Sequence, residues 1–274
     1  MQNFPPQTGS RRSRQYHWRR LLALILLAAL ALPGWAGTGA EAVLEDLRYK
    51  VDVVAWPDAV RARLTFKSLG EGKYCAEVSG EPQGALKTLS GERRDSYRTE
   101  MVWLQGKLMP VVYREESRRQ GERHLKEYRF DYTRGQLEMW QLKANTGKLV
   151  RKWQTQLANP VYDPLSALYN CRLGLLGPIR EGQVFKLEGI PYPKPEKIEV
   201  RIGPETPDGR QAMISVAGRT KREQRQVYAF LDGRRIPRQA WVKVLGLGKI
   251  SGELLPGGQG LPGGLPEAAP GSEG

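Results

Sequence analysis

The chain has 274 residues, of which 40% are hydrophobic, with a mean hydropathy of −0.52 and a formal charge of +14. That length buries a sizeable core, and the composition excludes both a polytopic membrane protein and a disordered chain. Two histidines and two cysteines in the whole sequence exclude the usual zinc sites, which need several such ligands.

Arg11, Arg12, Arg14, Arg19 and Arg20 precede the apolar run Leu21–Leu32, and no acidic residue occurs before Glu41. Pro33-Gly34 ends the run, and small residues follow at Gly34-Trp35-Ala36 and Thr38-Gly39-Ala40. The run is shorter than the ~20 residues that cross a bilayer, and the basic start and small-residue cleavage spacing define a secretory signal. Residues 1–40 are therefore expected to be removed on export to the periplasm by the general secretory route. Ser10-Arg11-Arg12 is similar to a twin-arginine signal, but Arg14-Gln15 stands where such a signal carries a hydrophobic pair. No cysteine directly follows the apolar run, so a lipid-anchored lipoprotein is not expected.

From Leu44 the pattern has period two. Leu47, Tyr49, Val51, Val53 and Ala55 alternate with Arg48, Lys50 and Asp52, as in a half-buried strand. A turn at Pro57-Asp58, an alternating run over Val60–Lys67, a turn at Gly70-Glu71-Gly72 and a run over Lys73–Val78 predict an antiparallel meander. Gly84 to Gly91 reads as a short helix or a loop. Strand signals resume at Ser96–Leu104, Pro110–Glu116, His124–Asp131 and Gln136–Leu142, and the charge-dense span Arg114–Lys126 reads as an exposed hairpin end. Asp163-Pro164-Leu165-Ser166 is the best helix start, because Asp is a strong N-cap and Pro suits the first helical position. Leu165, Leu168, Tyr169 and Arg172 follow at helical spacing, and Gly174 and Gly177-Pro178 stop the helix. Six further strand signals follow, at Gln183–Glu188, Lys197–Ile202, Gln211–Ala217, Gln226–Leu231, Gln239–Leu245 and Lys249–Leu254. Pro191–Pro195 is a rigid connector and Asp232-Gly233 a hairpin turn. Residues 256–274 are Gly- and Pro-rich, without Lys or Arg, and are expected to be a disordered tail. The organisation is thus a signal over 1–40, one β-rich domain over 41–255 and the tail. The fold class is mainly β with a minor α component: a large curved antiparallel sheet, or half-barrel, wrapped on one short helix. Curling hides sheet edges and one apolar face, which a flat sheet of this many strands does not.

The chemistry is sparse. His124 lies beside Arg123, Lys126 and Glu127, as at a solvated strand end, so no Ser-His-Asp or Cys-His arrangement is expected. No Gly-rich loop opens a helix within a βαβ unit, so no cofactor cradle is expected. Asp131 with Asp163 or Glu188 supplies candidate paired carboxylates for glycan hydrolysis, but a helix cap for Asp163 and surface roles for the others are the preferred reading. An oxidising compartment permits a disulfide between Cys75 and Cys171, contributing ~4–5 kcal/mol in the chain-entropy model. Against it, Cys75 alternates with Lys73 and Glu77 on a polar strand face, while Cys171 shares an apolar helical stripe with Leu168 and Leu175. Two unpaired buried thiols are the competing reading. Trp56, Trp103, Trp140, Trp153 and Trp241 fall in strands or beside them, with Tyr74, Tyr113, Tyr128 and Tyr132 among them. Most are read as core, though the concave face of a curved sheet also suits an acyl chain. Removing the leader takes five of the excess positive charges with it. An exported basic domain meets anionic head groups and glycans rather than nucleic acid, so a solvated surface or peripheral contact with an anionic membrane is expected.

Val161-Tyr-Asp-Pro-Leu-Ser-Ala-Leu-Tyr169 followed by Arg172 resembles a bacterial family of exported proteins classed as a domain of unknown function, marked by a Tyr-Asp-Pro-Leu-Ser-Ala helix start closed by Arg. The strand near Leu47–Trp56, Leu108-Met-Pro110, Phe130-Asp131 and Asp232-Gly-Arg-Arg-Ile-Pro237 match as well, and the resemblance spans about residues 44–255. It implies an architecture similar to the half-barrel of periplasmic lipoprotein carriers. It also implies that Tyr162, Asp163, Pro164, Ser166 and Arg172 form a structural or ligand-recognition motif, with Arg172 pairing a strand carboxylate. Cys171 stands where the family carries an apolar residue, so the family does not support the disulfide.

The expected function is a non-catalytic carrier for an apolar or lipid-like envelope ligand. Alternatives are an envelope scaffold whose concave side is filled by its own residues, binding a protein partner, and a carboxylate-based hydrolase.

Overall fold

Alternating apolar and polar side chains in each strand give a paired sheet one apolar and one polar face. The computed structural model describes residues 41–54, 56–190, 194–216, 225–244 and 248–261. A first antiparallel meander runs through β1 (Ala42–Val53), β2 (Trp56–Gly70), β3 (Lys73–Pro82), β4 (Arg94–Leu104), β5 (Lys107–Arg119), β6 (Glu122–Asp131), β7 (Gln136–Lys143) and β8 (Lys148–Gln156). A short helix, α1 (Gly84–Leu89), joins β3 to β4. The two-residue β9 (Val161–Tyr162) leads into α2 (Pro164–Arg172). A second meander follows, through β10 (Val184–Gly189), β11 (Glu196–Thr206), β12 (Gly209–Val216), β13 (Arg225–Leu231), β14 (Pro237–Val244) and β15 (Gly248–Leu254).

β15 pairs antiparallel with β1, so the fifteen strands form one sheet, ordered from β8 down to β1 and then from β15 down to β9. From β1 at mid-sheet the described residues build outward to one edge, pass along α2 to the opposite edge, and return beside β1. Among the described residues β9–β10 is the one parallel pair. The curved, mainly β architecture is as the alternation predicted.

Rows of inward side chains follow from the register. Leu47, Leu64, Val78 and Tyr97 lie side by side across β1 to β4. Thr99, Tyr113, Tyr128, Met139 and Trp153 do so across β4 to β8. α2 packs on this face against β3, β4 and β5, and Tyr169 stacks on Phe66 with ring centroids 4.2 Å apart. The opposite face is a ladder of charge. Arg114 bridges Glu100 and Glu127, Arg129 shares Glu127 and lies over the Trp140 ring, and Arg151 pairs with Glu138.

Several expectations are corrected. The first turn falls at Val54, because Val53 already pairs with Trp56; Pro57-Asp58 lies inside β2. β8 escaped the sequence reading: its Lys, Arg and Gln residues make an almost wholly solvated edge strand without clean alternation. The tail does not begin at residue 256. Gln259 bridges Asp46 and Leu261 is buried in the main core, so 256–261 fold onto β1, while 262–274 lie outside the described residues. The proposed signal and Pro191-Tyr-Pro193 also lie outside them. No Cys75–Cys171 disulfide forms; both thiols are free. Cys75 sits between Lys67 and Glu100 on the charged face, whereas Cys171 faces the concave side, so the sheet itself separates them. Burial pushes both thiols up, each to about 11, which keeps them protonated and unreactive.

Candidate functional site

The helix start predicted at Asp163 folds as its residue types dictate. The Asp163 carboxylate accepts from the backbone N–H groups of Leu165 and Ser166, at 2.8 and 3.1 Å. The Ser166 hydroxyl lies 3.0 Å from the Asp163 N–H, closing a capping box, and Pro164 occupies the first turn. Thr99 of β4 donates to the same carboxylate at 2.8 Å, tying the helix start to the sheet. Burial raises the Asp163 pKa, with the bonds from Ser166, Thr99 and Leu165 opposing it. The helix ends in a Schellman motif, with Gly174 at φ +75 and Leu175 N–H bonded to the Asn170 carbonyl at 2.9 Å. Asn170 also exchanges two hydrogen bonds with the Leu108 backbone of β5, filling positions that β6 does not reach.

Arg172, at the end of α2, is buried. It grips Glu45 of β1 with both terminal nitrogens, at 2.7 and 2.8 Å, and its Nε donates to the Arg235 carbonyl at 2.9 Å. Tyr169 donates to Glu45 at 2.8 Å, and the Leu261 N–H reaches the same carboxylate at 3.2 Å. Burial alone would lower the Arg172 pKa, but the hydrogen bond and charge of Glu45, with Tyr169 and Tyr49, hold it above its ordinary value. Glu45 was missed by the sequence reading, yet it carries a signal: it is an acid in phase with Leu47, Tyr49 and Val51, on the buried side of its strand.

The two stripes of α2 face different surroundings. Leu165, Ser166, Tyr169, Asn170 and Arg172 are buried, with Leu165 and Tyr169 packed into the aromatic core of the first meander. Pro164, Ala167, Leu168 and Cys171 are only half-buried and turn toward the second meander. Between them and the inward residues of β11–β14, among them Val200, Ile214, Val227 and Ala229, lies an apolar cavity of about 220 Å3. Val78 of β3 and Ile198 of β11 border the same space, which shows how far the sheet curls. The concave side is therefore filled in its first half, while in its second the cluster of Phe185, Val200, Ile202, Ala212, Ala229 and Leu231, on which Cys171, Leu176 and Ile179 pack, leaves this hollow beside α2. Tyr49 projects between these halves: its ring is half-buried and lines the cavity, while its hydroxyl is buried without a hydrogen-bond partner.

Of the residues expected to form a motif, Asp163, Pro164 and Ser166 build the helix start, and Arg172 and Pro164 border the cavity. Tyr162 does not join them; it is buried in β9 and borders a wider polar groove of about 1040 Å3 along β10–β12. Asp131 accepts from the Arg134 N–H in a turn and Glu188 from Asn159, so neither shares a hydrogen bond with Asp163. His124 is exposed beside Glu122. The rings are placed differently from the lipid-facing alternative. Tyr74, Tyr113 and Tyr128 fill the first core, Trp241 stacks on Tyr228 across the β14–β13 register from the inward Val242 and Val227, and Tyr49 is the one aromatic residue among the described residues that line the cavity.

The fold and site thus define a half-barrel protein with a capped helix seated on its concave face and an apolar hollow beside that helix. A family model for proteins of unknown function, DUF3108, matches residues 48–208, more than half of the chain. The chain belongs to this family. No curated protein and no solved structure matches it.

Proposed function

We propose that the chain is an exported, non-catalytic binding protein that carries an apolar, lipid-like ligand in the hollow half of its curved sheet. The observation that carries this reading is the half-buried stripe of α2 bordering a cavity whose wall is mostly aliphatic. Such surface is normally buried against another element, and concave apolar pockets are where small apolar ligands bind. At about 220 Å3 the space exceeds the ~150 Å3 apolar cavity that admits benzene in an engineered protein, but falls short of the ~300–1,000 Å3 typical of drug-sized ligands. It suits one acyl chain or ring rather than a two-chain lipid. Likeness to the periplasmic lipoprotein carriers, and export through a cleaved leader over residues 1–40, belong to the same reading.

The test is an apolar fluorophore, N-phenyl-1-naphthylamine, added to the purified protein. Binding is expected, and Ala229→Phe, which fills the cavity from β13, should abolish it without unfolding the chain. Equal binding by both proteins would remove the cavity from the account. The filled first half favours a second reading, an envelope assembly protein, which predicts no fluorophore binding and a protein partner in crosslinked cell envelopes. Cell fractionation tests the export step: a shortened product in the periplasm supports it, and an intact cytosolic chain overturns it.

A further inference from the structure

Single apolar side chains are normal on any protein surface, but several gathered at one place mark a contact. Val54, Trp56 and Leu89 are 58%, 48% and 66% exposed, and all three stand at one end of the sheet. Val53 pairs with Trp56 across the β1–β2 turn, and Val54 in that turn lies against Gly248 of β15. The Ala59 carbonyl of β2 accepts from the Gln83 N–H just before α1. Leu86 of α1 packs on the same cluster as Val51, Val53 and Val60. Past Leu89, Gly91 lies against Arg119 and Gln120 of the β5–β6 turn. These contacts join the β1–β2 turn, α1 and the β5–β6 turn into one continuous rim. Val54 is there at a cost: its φ is 50, a left-handed conformation that suits Asn or Gly in a tight hairpin and disfavours a β-branched residue.

The charges of this rim are unbalanced. Beside Trp56, Asp58 pairs with Arg61 and Asp52 accepts from the Asp58 N–H. Asp95 is held by Arg93, Glu116 by Arg118 and Arg123, and Glu122 lies beside His124. Lys87, Arg94, Arg119, Lys243 and Lys249 are exposed and have no ion pair among the described residues, against Glu81 and Glu92. Lys243 and Lys249 stand opposite each other at the end of β14 and the start of β15. Trp and aliphatic side chains flanked by free Lys and Arg suit the interface of an anionic bilayer. Trp favours head-group depth, aliphatic groups enter the acyl boundary, and each cation gains from the negative surface potential.

We infer that this rim docks the protein on an anionic bilayer, with Val54, Trp56 and Leu89 in the head-group layer and Lys87, Arg94 and Arg119 against its phosphates. The rim is separate from the cavity, so docking goes beyond the binding function proposed above and stands or falls independently of it.

The experiment sediments the protein, expressed from its full chain, with vesicles of phosphatidylcholine alone or mixed equally with phosphatidylglycerol. Binding is expected to the mixed vesicles, weakening as salt is raised. Trp56→Ser/Leu89→Ser should bind about tenfold more weakly, because apolar burial in the interface is lost. Lys87→Gln/Arg119→Gln should also bind about tenfold more weakly, with a shallower salt dependence. Leu104→Ser/Lys107→Glu, in the β4–β5 turn at the opposite end of the sheet, should bind like the unaltered chain. Val54→Asn should weaken binding while its melting temperature holds or rises; a clear fall would make the side chain structural and count against the inference. Equal binding by the rim variants and the unaltered chain would spread the attraction over the whole basic surface and overturn it, as would no binding to the mixed vesicles. A dimer that Trp56→Ser/Leu89→Ser splits into monomers would give the rim to a second copy and overturn it likewise. Should that double variant not fold, Leu89→Ser alone decides. Fluorophore binding reports on the cavity and sedimentation on the rim, so failure of one reading is told apart from failure of the other.

Discussion

Glu45 receives hydrogen bonds from two places far from it in sequence: Tyr169 and Arg172 of α2, and the backbone of Leu261. A buried carboxylate is tolerable only when charge and hydrogen bonds replace the water it has lost. Removing one partner therefore does more harm than removing both. Arg172→Met should destabilise the protein by about 3–5 kcal/mol, because it strands a buried negative charge. The double variant Glu45→Leu/Arg172→Met should be less destabilised than Arg172→Met alone, as read from urea unfolding midpoints. Equal or additive losses would mean that the pair is not coupled.

At the scale of the strand, the charged face of β4–β7 behaves as one network. Burial by itself would raise the pKa of Glu127, but hydrogen bonds from Arg114 and Arg129 and their charge bring it below the ordinary 4.5. Glu116 is lowered likewise, burial being outweighed by Arg123 and Arg118. Glu138 is lowered chiefly by its bond from Arg151. A carboxylate whose pKa is depressed on folding contributes stability above its unfolded value, and that contribution disappears as pH falls through the folded value. Unfolding midpoints should thus hold steady from neutrality to about pH 5 and drop below about pH 4.5. Glu127→Gln should flatten that drop, since it removes the best-buried carboxylate of the ladder. An acid limb identical to that of the unaltered protein would show that the ladder does not set the acid response.

At the scale of the whole molecule, the first and last described strands pair with each other. β1 and β15 meet at mid-sheet, and the strip after β15 lies against β1 through the Asp46–Gln259 bridge and the buried Leu261. A chain ending at Leu255 should be about 2–4 kcal/mol less stable than one ending at Leu261, from lost apolar burial and the lost bond to Glu45. Thermal melts of the two compare them directly, and equal melting temperatures would refute the packing role of the strip. The family match ends at residue 208, so β12–β14, which supply Ile214, Val227 and Ala229 to the cavity wall, lie beyond it. The motif that carries the resemblance builds the filled half, and the hollow half is completed by strands outside the match.

Local sequence determined what local physics controls. Period-two alternation gave nearly every strand, and Asp163-Pro164 and Gly174 gave both ends of α2, because caps, turns and side-chain phase depend on residues a few positions apart. Edge strand β8 was lost for the same reason: apart from Leu149, Trp153 and Thr155 its residues are exposed, and a register shift opposite Met139 and Trp140 breaks its alternation. Where the strands went was decided only in three dimensions. The pairing of β1 with β15, the choice of Glu45 as partner for Arg172, the separation of Cys75 from Cys171 and the hollow beside α2 all depend on contacts between residues far apart in the chain. Those contacts are set by how the curved sheet shares its concave face with a single helix. The buried stripe of the helix fills one half of that face, and the space beside its other stripe is the candidate site.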